Sequence, residues 1–244
     1  MCSAKEPMGM YFSAVENMVY FKKRIKKGKP MLTKEAAQHV IYEIMKLYPN
    51  AVPMMHYQNP FQLLMVVILS AQATDVSVAK VKDKLFERYP NPQAVSESSP
   101  EEIESYIKTV GLYRNKAKYI YKSSCQLLEK FDGKVPNTRK ELQSLTGIGP
   151  KSANILLNVA FSQDAFAVDT HVARVCKHHK IVEENATPKQ IEERVTEIIP
   201  AKYWGRAHQS MISLGREICT PRNKKCHEYP QLYKDLEEEP TDTV

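Results

Sequence analysis

The stretch LTGIGPKSAN, from Leu145 to Asn154, places two glycines, a proline and a lysine between two predicted helices. A P-loop requires G-x-x-x-x-G-K-[ST] after a strand, whereas here Pro150 separates Gly149 from Lys151 and a helical pattern precedes the turn. The dinucleotide-binding fingerprint also fails, because its third glycine and its strand are missing. The spacing therefore argues against both nucleotide-binding interpretations.

A helix, a G-I-G turn and a second helix are typical of a hairpin that binds phosphate. Gly147 and Gly149 allow the backbone to turn tightly and to approach a partner, while Ile148 is expected to enter the core. The free amides at the start of the second helix attract an anion, so the hairpin could hold one phosphate of a DNA strand. A lone G-x-G is more often an ordinary turn between helices.

Lys151 falls in the first turn of the second helix, where the helix dipole disfavours a positive charge. Stability alone would favour Asp or Glu at this position. Because the dipole promotes the neutral amine that nucleophilic catalysis needs, Lys151 is a candidate nucleophile. A lysine that reaches for the phosphate backbone is the alternative.

The composition indicates a soluble protein with a polyanionic partner. The chain has 244 residues, of which 43% are hydrophobic and 26% charged, and its net charge is +7. This length allows one large domain or two small ones with a substantial core. The positive excess favours nucleic acid as the partner, with a merely soluble basic protein as the alternative.

The cysteines and the apolar segments favour a reducing compartment. The chain has five cysteines, an odd and widely scattered set that is unlike a secreted disulfide framework. The start, MCSAKEPMGMYF, lacks an apolar signal core, and the longest apolar run, FQLLMVVILSA, is too short to span a bilayer.

Helix start and stop signals predict an all-α fold. Capping residues, often followed by proline, precede about ten amphipathic or apolar segments, and no segment reads as a convincing strand. The run from Pro60 to Gln72 has apolar residues on every side, which predicts a central, buried helix. Asn137 is expected to cap the helix TRKELQSL, and Asp169 the helix THVARVCKHH.

Three stretches, LSAQATDVSV, TVGLYRNKA and LTGIGPKSANILLNVAF with the following AVDTHVARV, closely resemble the endonuclease III family. This family consists of base-excision-repair DNA glycosylases of the helix-hairpin-helix superfamily. The resemblance implies two helical lobes with DNA in the cleft between them. It implies a six-helix barrel over residues 53–163 and a second lobe formed by 31–52 with 164–235. A basic arm (1–30) and an acidic tail (236–244) lie outside the lobes.

The resemblance also implies a mechanism. A damaged pyrimidine is flipped out of the helix, and Lys151 attacks the anomeric carbon of its sugar, displacing the base and leaving a Schiff base. β-Elimination then cuts the strand. Asp169 would stabilise the positive sugar and assist deprotonation of the lysine. The alternative to this catalytic role is that Asp169 only caps the helix that follows it.

Further DNA contacts follow from the same resemblance. Gln72 matches the glutamine that fills the hole left by the flipped nucleotide, and Leu112 matches an apolar wedge on the opposite side. His171 is expected to contact the DNA backbone. Without the resemblance, Gln72 would be a surface residue and Leu112 a core residue.

The resemblance breaks at the C-terminal cysteines. Family members usually carry C-x6-C-x2-C-x5-C, which binds a [4Fe-4S] cluster, but here Tyr229 and Asp235 occupy the last two positions. Only Cys219 and Cys226 remain, so we expect no cluster and no other cofactor. A zinc site that includes His227 is conceivable, although the spacing is unusual.

The loop TPRNKK between these cysteines keeps its positive charge, so Arg222, Lys224 and Lys225 could meet phosphates. Packing by three residues near the C-terminus is expected to hold this loop instead of iron: Tyr229, Leu232 and Tyr233.

Alternative functions remain open. An adenine glycosylase is excluded, because no Asp or Glu lies between Pro60 and Thr74, where that relative has its catalytic glutamate. A related glycosylase for alkylated bases or oxoguanine is a closer alternative, and a non-catalytic DNA-binding module is another. We expect a monomer that acts on duplex DNA in the bacterial cytoplasm, at the nucleoid, without a membrane partner.

Overall fold

The computed structural model describes residues 31–52 and 57–233, and this part of the chain is helical. Its α-helices are α1 Lys34–Leu47, α2 Pro60–Ser70, α3 Asp75–Arg88, α4 Pro92–Ser96, α5 Pro100–Ile107, α6 Tyr113–Phe131, α7 Arg139–Ser144, α8 Pro150–Phe161, α9 Thr170–His178, α10 Pro188–Ile198 and α11 Trp204–Glu217. The strand-like pairing found within these ranges is one isolated bridge, between Cys219 and Lys224. The predicted all-α class is confirmed.

No helix in the described ranges combines the length and the apolar character needed to cross a membrane. The predicted basic arm (1–30) and acidic tail (236–244) lie outside the described residues.

Side chains cap most of the helices at their N-termini. In each case an oxygen accepts a hydrogen bond from an amide of the first turn; the capping residues are Thr33, Asn59, Thr74, Asn91, Ser99, Thr138 and Thr187. The prediction that Asn137 caps α7 is wrong by one residue, because the hydroxyl of Thr138 accepts from the amide of Glu141 at 3.3 Å. The short helix α4 was not predicted, since five residues are too few to show a helical period.

The chain forms two compact units. Of the described residues, the hairpin unit comprises those of Ala51–Asp169 with Ile199–Gln209, and the cysteine unit comprises 31–50, Thr170–Ile198 and 210–233. These bounds differ from the predicted lobes, because residues 164–169 and 199–209 belong to the hairpin unit. Two contacts explain the difference: Asn154 donates to the carbonyl of Phe166 at 2.8 Å, and the Phe166 ring meets the edge of His208.

Helix α2 forms the centre of the hairpin unit. Every residue from Phe61 to Leu69 is buried, and the helix packs against α3, α6 and α8. Each fully buried aliphatic side chain contributes roughly 1.5–3 kcal/mol to stability. The buried amide oxygen of Gln62 is satisfied by the backbone N–H of Gln58 at 2.7 Å. The predicted central helix is confirmed, although it ends at Ser70 rather than Gln72.

The turn between α7 and α8 requires glycine at one position only. Gly147 has φ of +87°, and a Cβ there would lie 2.9 Å from the Cβ of Tyr119. Ile148 is buried in the core of the unit, as predicted. Gly149 has φ of −93°, and no other group lies within 4 Å of the place where its Cβ would be. The fold therefore constrains Gly147 and leaves the space beside Gly149 open.

Two alanine substitutions separate these roles. Gly147→Ala is expected to lower the free energy of unfolding by about 2 kcal/mol, because a left-handed non-glycine residue costs about 1–2 kcal/mol and the methyl group meets Tyr119. The matched control Gly149→Ala should change it by less than about 0.5 kcal/mol. Urea unfolding of both variants measures the difference, and equal losses would contradict this account of the turn.

Candidate catalytic centre and nucleic-acid interface

Lys151 is exposed in the first turn of α8. This helix begins after Gly149 with no side-chain cap, and its first turn contains no acidic residue. The first amides of the helix are therefore left to an external acceptor, and the lysine adds its charge to the positive end of the dipole. This arrangement suits an anion better than it suits the stability of the helix.

Asp169 is half-buried and immediately precedes α9. It follows the buried segment Ala165–Val168, whose Phe166 carbonyl accepts a hydrogen bond from the Asn154 amide at 2.8 Å. Asn154 lies on α8 in the turn after Lys151. The helix that carries the lysine thus also holds the segment that leads to the carboxylate.

His208 lies within electrostatic range of the two predicted catalytic residues, and the sequence analysis did not identify it. It is only 4% exposed, and burial lowers its pKa to about 4, with Asp169 raising and Lys151 further lowering that pKa. Both charged groups therefore act on the same imidazole. A lone histidine in an amphipathic helix belongs to no motif, so the sequence carried no signal for this role.

The predicted wedge residues Gln72 and Leu112 lie on two neighbouring turns of the hairpin unit. Both are exposed and left-handed, with φ of 51° and 59°, and Leu112 keeps 55% of its surface in solvent. A Cβ on Gly111 would lie 3.5 Å from the carbonyl oxygen of Gln72, so the two turns are close. Leu112 is thus not a core residue.

Lys116 supports these turns from the interior of the hairpin unit. Its side chain is almost completely buried, and its Nζ donates to the carbonyl of Leu69 at 2.8 Å, joining α6 to the end of α2. Burial lowers the pKa of the Lys116 amine. The hydrogen bond fixes the end of α2 next to the turn that carries Gln72.

His171 lies in the first turn of α9, within the cysteine unit. Arg174 donates to its Nδ1 at 3.0 Å and also to the carbonyls of Gly215 and Cys219, at 2.6 and 2.7 Å. Gly215 allows this close packing, since a Cβ there would lie 2.9 Å from that of His171. The imidazole is therefore held in a defined orientation.

The predicted phosphate contacts in the basic loop are all exposed: Arg222, Lys224 and Lys225. The loop is a tight turn, in which the amide of Lys225 donates to the carbonyl of Ile218 at 3.0 Å, and the amide of Asn223 donates to the hydroxyl of Thr220 at 3.0 Å. Leu232 and Tyr233 are buried and Tyr229 is half-buried, as expected for residues that support this end of the chain.

Cys219 and Cys226 are buried side by side. Hydrogen bonding with Cys226 lowers the pKa of the Cys219 thiol to about 5, with further help from His179, while the pKa of Cys226 is raised. Among the described residues the histidine that converges on these sulfurs is His178, not the His227 suggested by spacing. A [4Fe-4S] cluster needs four thiolates, so this donor set does not fit one.

Comparisons with known proteins show the family of this chain. A family model described as HhH-GPD superfamily base excision DNA repair protein matches residues 65–201. Endonuclease III of Bacillus subtilis is 38% identical over 202 residues, covering 83% of this chain and 92% of that protein. Endonuclease III of Escherichia coli is 40% identical over 178 residues, covering 73% and 84%.

Solved structures show the same relationship. A trapped endonuclease III–DNA covalent intermediate has a TM-score of 0.81 at 40% identity, covering 83% of this chain and 95% of that one. A thermostable thymine-DNA glycosylase, 23% identical with a TM-score of 0.71, shares the fold.

The helical fold and the hairpin with its lysine thus define a base excision DNA repair protein of the HhH-GPD superfamily. Within that superfamily, the chain belongs to the endonuclease III family, which confirms the resemblance seen in the sequence.

The low pKa of His208 predicts that the folded protein loses stability in acid. This pKa is about 4 in the folded protein and 6.5 in the unfolded chain, so below pH 6.5 the unfolded chain binds a proton that the folded chain does not bind until about pH 4. Stability is therefore lost as the pH falls from 6.5 to 4. His208→Gln should remove up to about 3 kcal/mol of this loss. Urea unfolding from pH 4 to 7 tests this, and an unchanged acid slope would refute it.

Proposed function

We propose that this chain is a bifunctional DNA glycosylase and AP lyase that removes oxidised pyrimidines from duplex DNA. The observation that carries the proposal is the exposed Lys151 at an uncapped helix start. Lys151 and Asp169 both influence the pKa of the buried His208 imidazole. Membership of the endonuclease III family supports it, as does the relative trapped as a covalent intermediate with DNA.

In the proposed reaction, Nζ of Lys151 attacks C1′ of the flipped nucleotide and the bond to the damaged base breaks. The sugar ring opens to a Schiff base, and β-elimination expels the 3′ phosphate. Asp169 stabilises the positive charge that develops on the sugar and takes part in proton transfer.

The proposed DNA contacts divide by role. The turn formed by Gly147, Ile148 and Gly149 holds a strand phosphate, which positions the DNA without reading its sequence. The amide of Ile148 donates to the carbonyl of Leu145 at 3.2 Å, so the proposed phosphate contacts come from the glycines and the start of α8. Gln72 and Leu112 fill the gap left by the flipped nucleotide, because both project from exposed turns.

The cysteine unit carries the remaining proposed contacts with the DNA backbone. They come from His171 on α9 and from the basic loop, through Arg222, Lys224 and Lys225. All four side chains can donate to phosphate oxygens, so these contacts add affinity rather than base specificity.

We also propose that the enzyme holds no iron–sulfur cluster, since two of the four cysteine positions are Tyr229 and Asp235. It would act as a monomer at the nucleoid in the bacterial cytoplasm. Neither the hairpin nor the lysine depends on the missing cysteines, so the chemistry remains available without a cluster.

Borohydride trapping tests the nucleophile. Duplex DNA with thymine glycol or an abasic site should give a covalent adduct with the wild-type protein. Lys151→Ala should lose the adduct and at least about 100-fold in strand cleavage, because the attacking amine is gone. Lys140→Ala, which removes an exposed lysine from the other hairpin helix, is the matched control and should keep both.

Other outcomes of this experiment would point to the alternatives. Base release without an adduct would indicate a monofunctional glycosylase, for example one for alkylated bases. Binding with neither base release nor adduct would indicate a non-catalytic DNA-binding module. Either result contradicts the proposed lyase.

Leu112→Ala tests the wedge. We expect base release from duplex DNA to slow by about 10- to 100-fold, because an unfilled gap leaves an unstacking cost of a few kcal/mol uncompensated. Cleavage at a preformed abasic site in single-stranded DNA should change little. Val76→Ala, which shortens another exposed apolar side chain of the same unit, is the control. Equal effects of both substitutions would contradict the assignment.

A further inference from the structure

A cluster of nitrogen and sulfur ligands lies in the cysteine unit, away from the proposed catalytic residues. One ring nitrogen of His178 and the Sγ atoms of Cys219 and Cys226 lie within 4.8 Å of one another. Both cysteines are fully buried, and His178 is partly buried. The three residues come from the end of α9, the segment after α11 and the 3₁₀ turn Cys226–Glu228.

His179 adds a fourth nitrogen beside this cluster. Its ring centroid is 5.2 Å from that of His178, and its Nδ1 is hydrogen-bonded to the hydroxyl of Tyr233 at 3.0 Å. Its Nε2 is buried, and the imidazole also interacts with the thiol of Cys219. A histidine whose Nδ1 is fixed by a hydrogen bond and whose ring interacts with a candidate ligand thiol is oriented as metal-ligating histidines are.

We propose that Cys219, Cys226 and His178 bind one Zn²⁺ ion, and that the His179 side chain, which lies outside this group of three, turns to complete a tetrahedral site. Two thiolates and two imidazoles are a usual structural zinc set, and two thiolates neutralise the charge of the ion. A buried divalent cation without this compensation would be strongly disfavoured. The proposal replaces the sequence-based expectation of no metal.

The site differs from a four-thiolate cluster in its ligands and in its chemistry. It uses two histidines from α9 and its end, and Zn²⁺ has no redox activity. The two cysteines lie at either end of the basic loop, so the ion would close that loop and attach it to α9. A structural role of this kind needs no contact with the substrate.

Metal analysis of the protein purified without chelators tests the proposal directly. We expect one zinc per chain, and Co²⁺ added to the metal-free protein should give thiolate-to-cobalt charge-transfer bands with strong visible absorption. His178→Asn, at a partly exposed position, should weaken zinc binding by at least about 100-fold, since removing even an outer-shell partner typically costs 10–100-fold. Cys219→Ser should do the same and should abolish part of the charge-transfer absorption.

Two control variants sharpen the test. His227→Asn removes the histidine next to Cys226 that the spacing suggested, and Cys125→Ser removes a free, half-buried cysteine elsewhere. Both should keep full zinc content. The wild-type cobalt spectrum needs no substitution, so the test survives if a cysteine variant fails to fold.

Several results would overturn the proposal. One is less than about half a zinc per chain after growth in zinc-supplemented medium, together with no cobalt charge-transfer bands. A second is a disulfide between Cys219 and Cys226 in the native protein, and a third is iron with acid-labile sulfide. Zinc loss in His227→Asn but not in His178→Asn would also refute it. None of these outcomes bears on Lys151 trapping, so the two proposals fail separately.

Discussion

The positive end of α8 is the constraint on which the candidate site depends. A helix normally satisfies its first amides with a side-chain cap, and seven helices of the described chain do so. α8 instead starts after an exposed glycine and carries Lys151 in its first turn. This end is poorly suited to an isolated helix and well suited to a phosphate and an attacking amine. Buried Ile148 and left-handed Gly147 fix its direction.

Two of the left-handed backbone positions of the described residues lie where DNA contacts are proposed, and the other non-glycine ones are Asp132, Ser162 and Lys180. Gln72 and Leu112 both adopt left-handed backbone conformations, each of which costs of order 1–3 kcal/mol for a non-glycine residue. Compensation comes from the buried frame, where Lys116 joins α6 to the end of α2 and the α2 core is closely packed. A rigid scaffold thus holds exposed side chains in positions that a free loop would not maintain.

The C-terminal segment keeps its fold although only two of the four cysteines usual in the family are present. Contacts with α1 hold this end of the cysteine unit: the Tyr48 hydroxyl donates to Glu217 at 3.0 Å, and His39 lies 3.3 Å from the carbonyl of Gln231. Tyr233 stacks on His179 at 5.6 Å between ring centroids. Aromatic packing and hydrogen bonds therefore surround the two remaining thiols.

Local signals determined much of this protein. Caps, prolines and glycines set the helix bounds to within one or two residues at most ends, because those signals act within a single turn. The hairpin and Lys151 could also be predicted from the sequence, because their residues are contiguous. Only the tertiary structure brought His208 within electrostatic range of Lys151 and Asp169, and placed His178 beside the two cysteines. Those residues are far apart in the chain, and burial and proximity arise only when the helices pack, so no local pattern could reveal them.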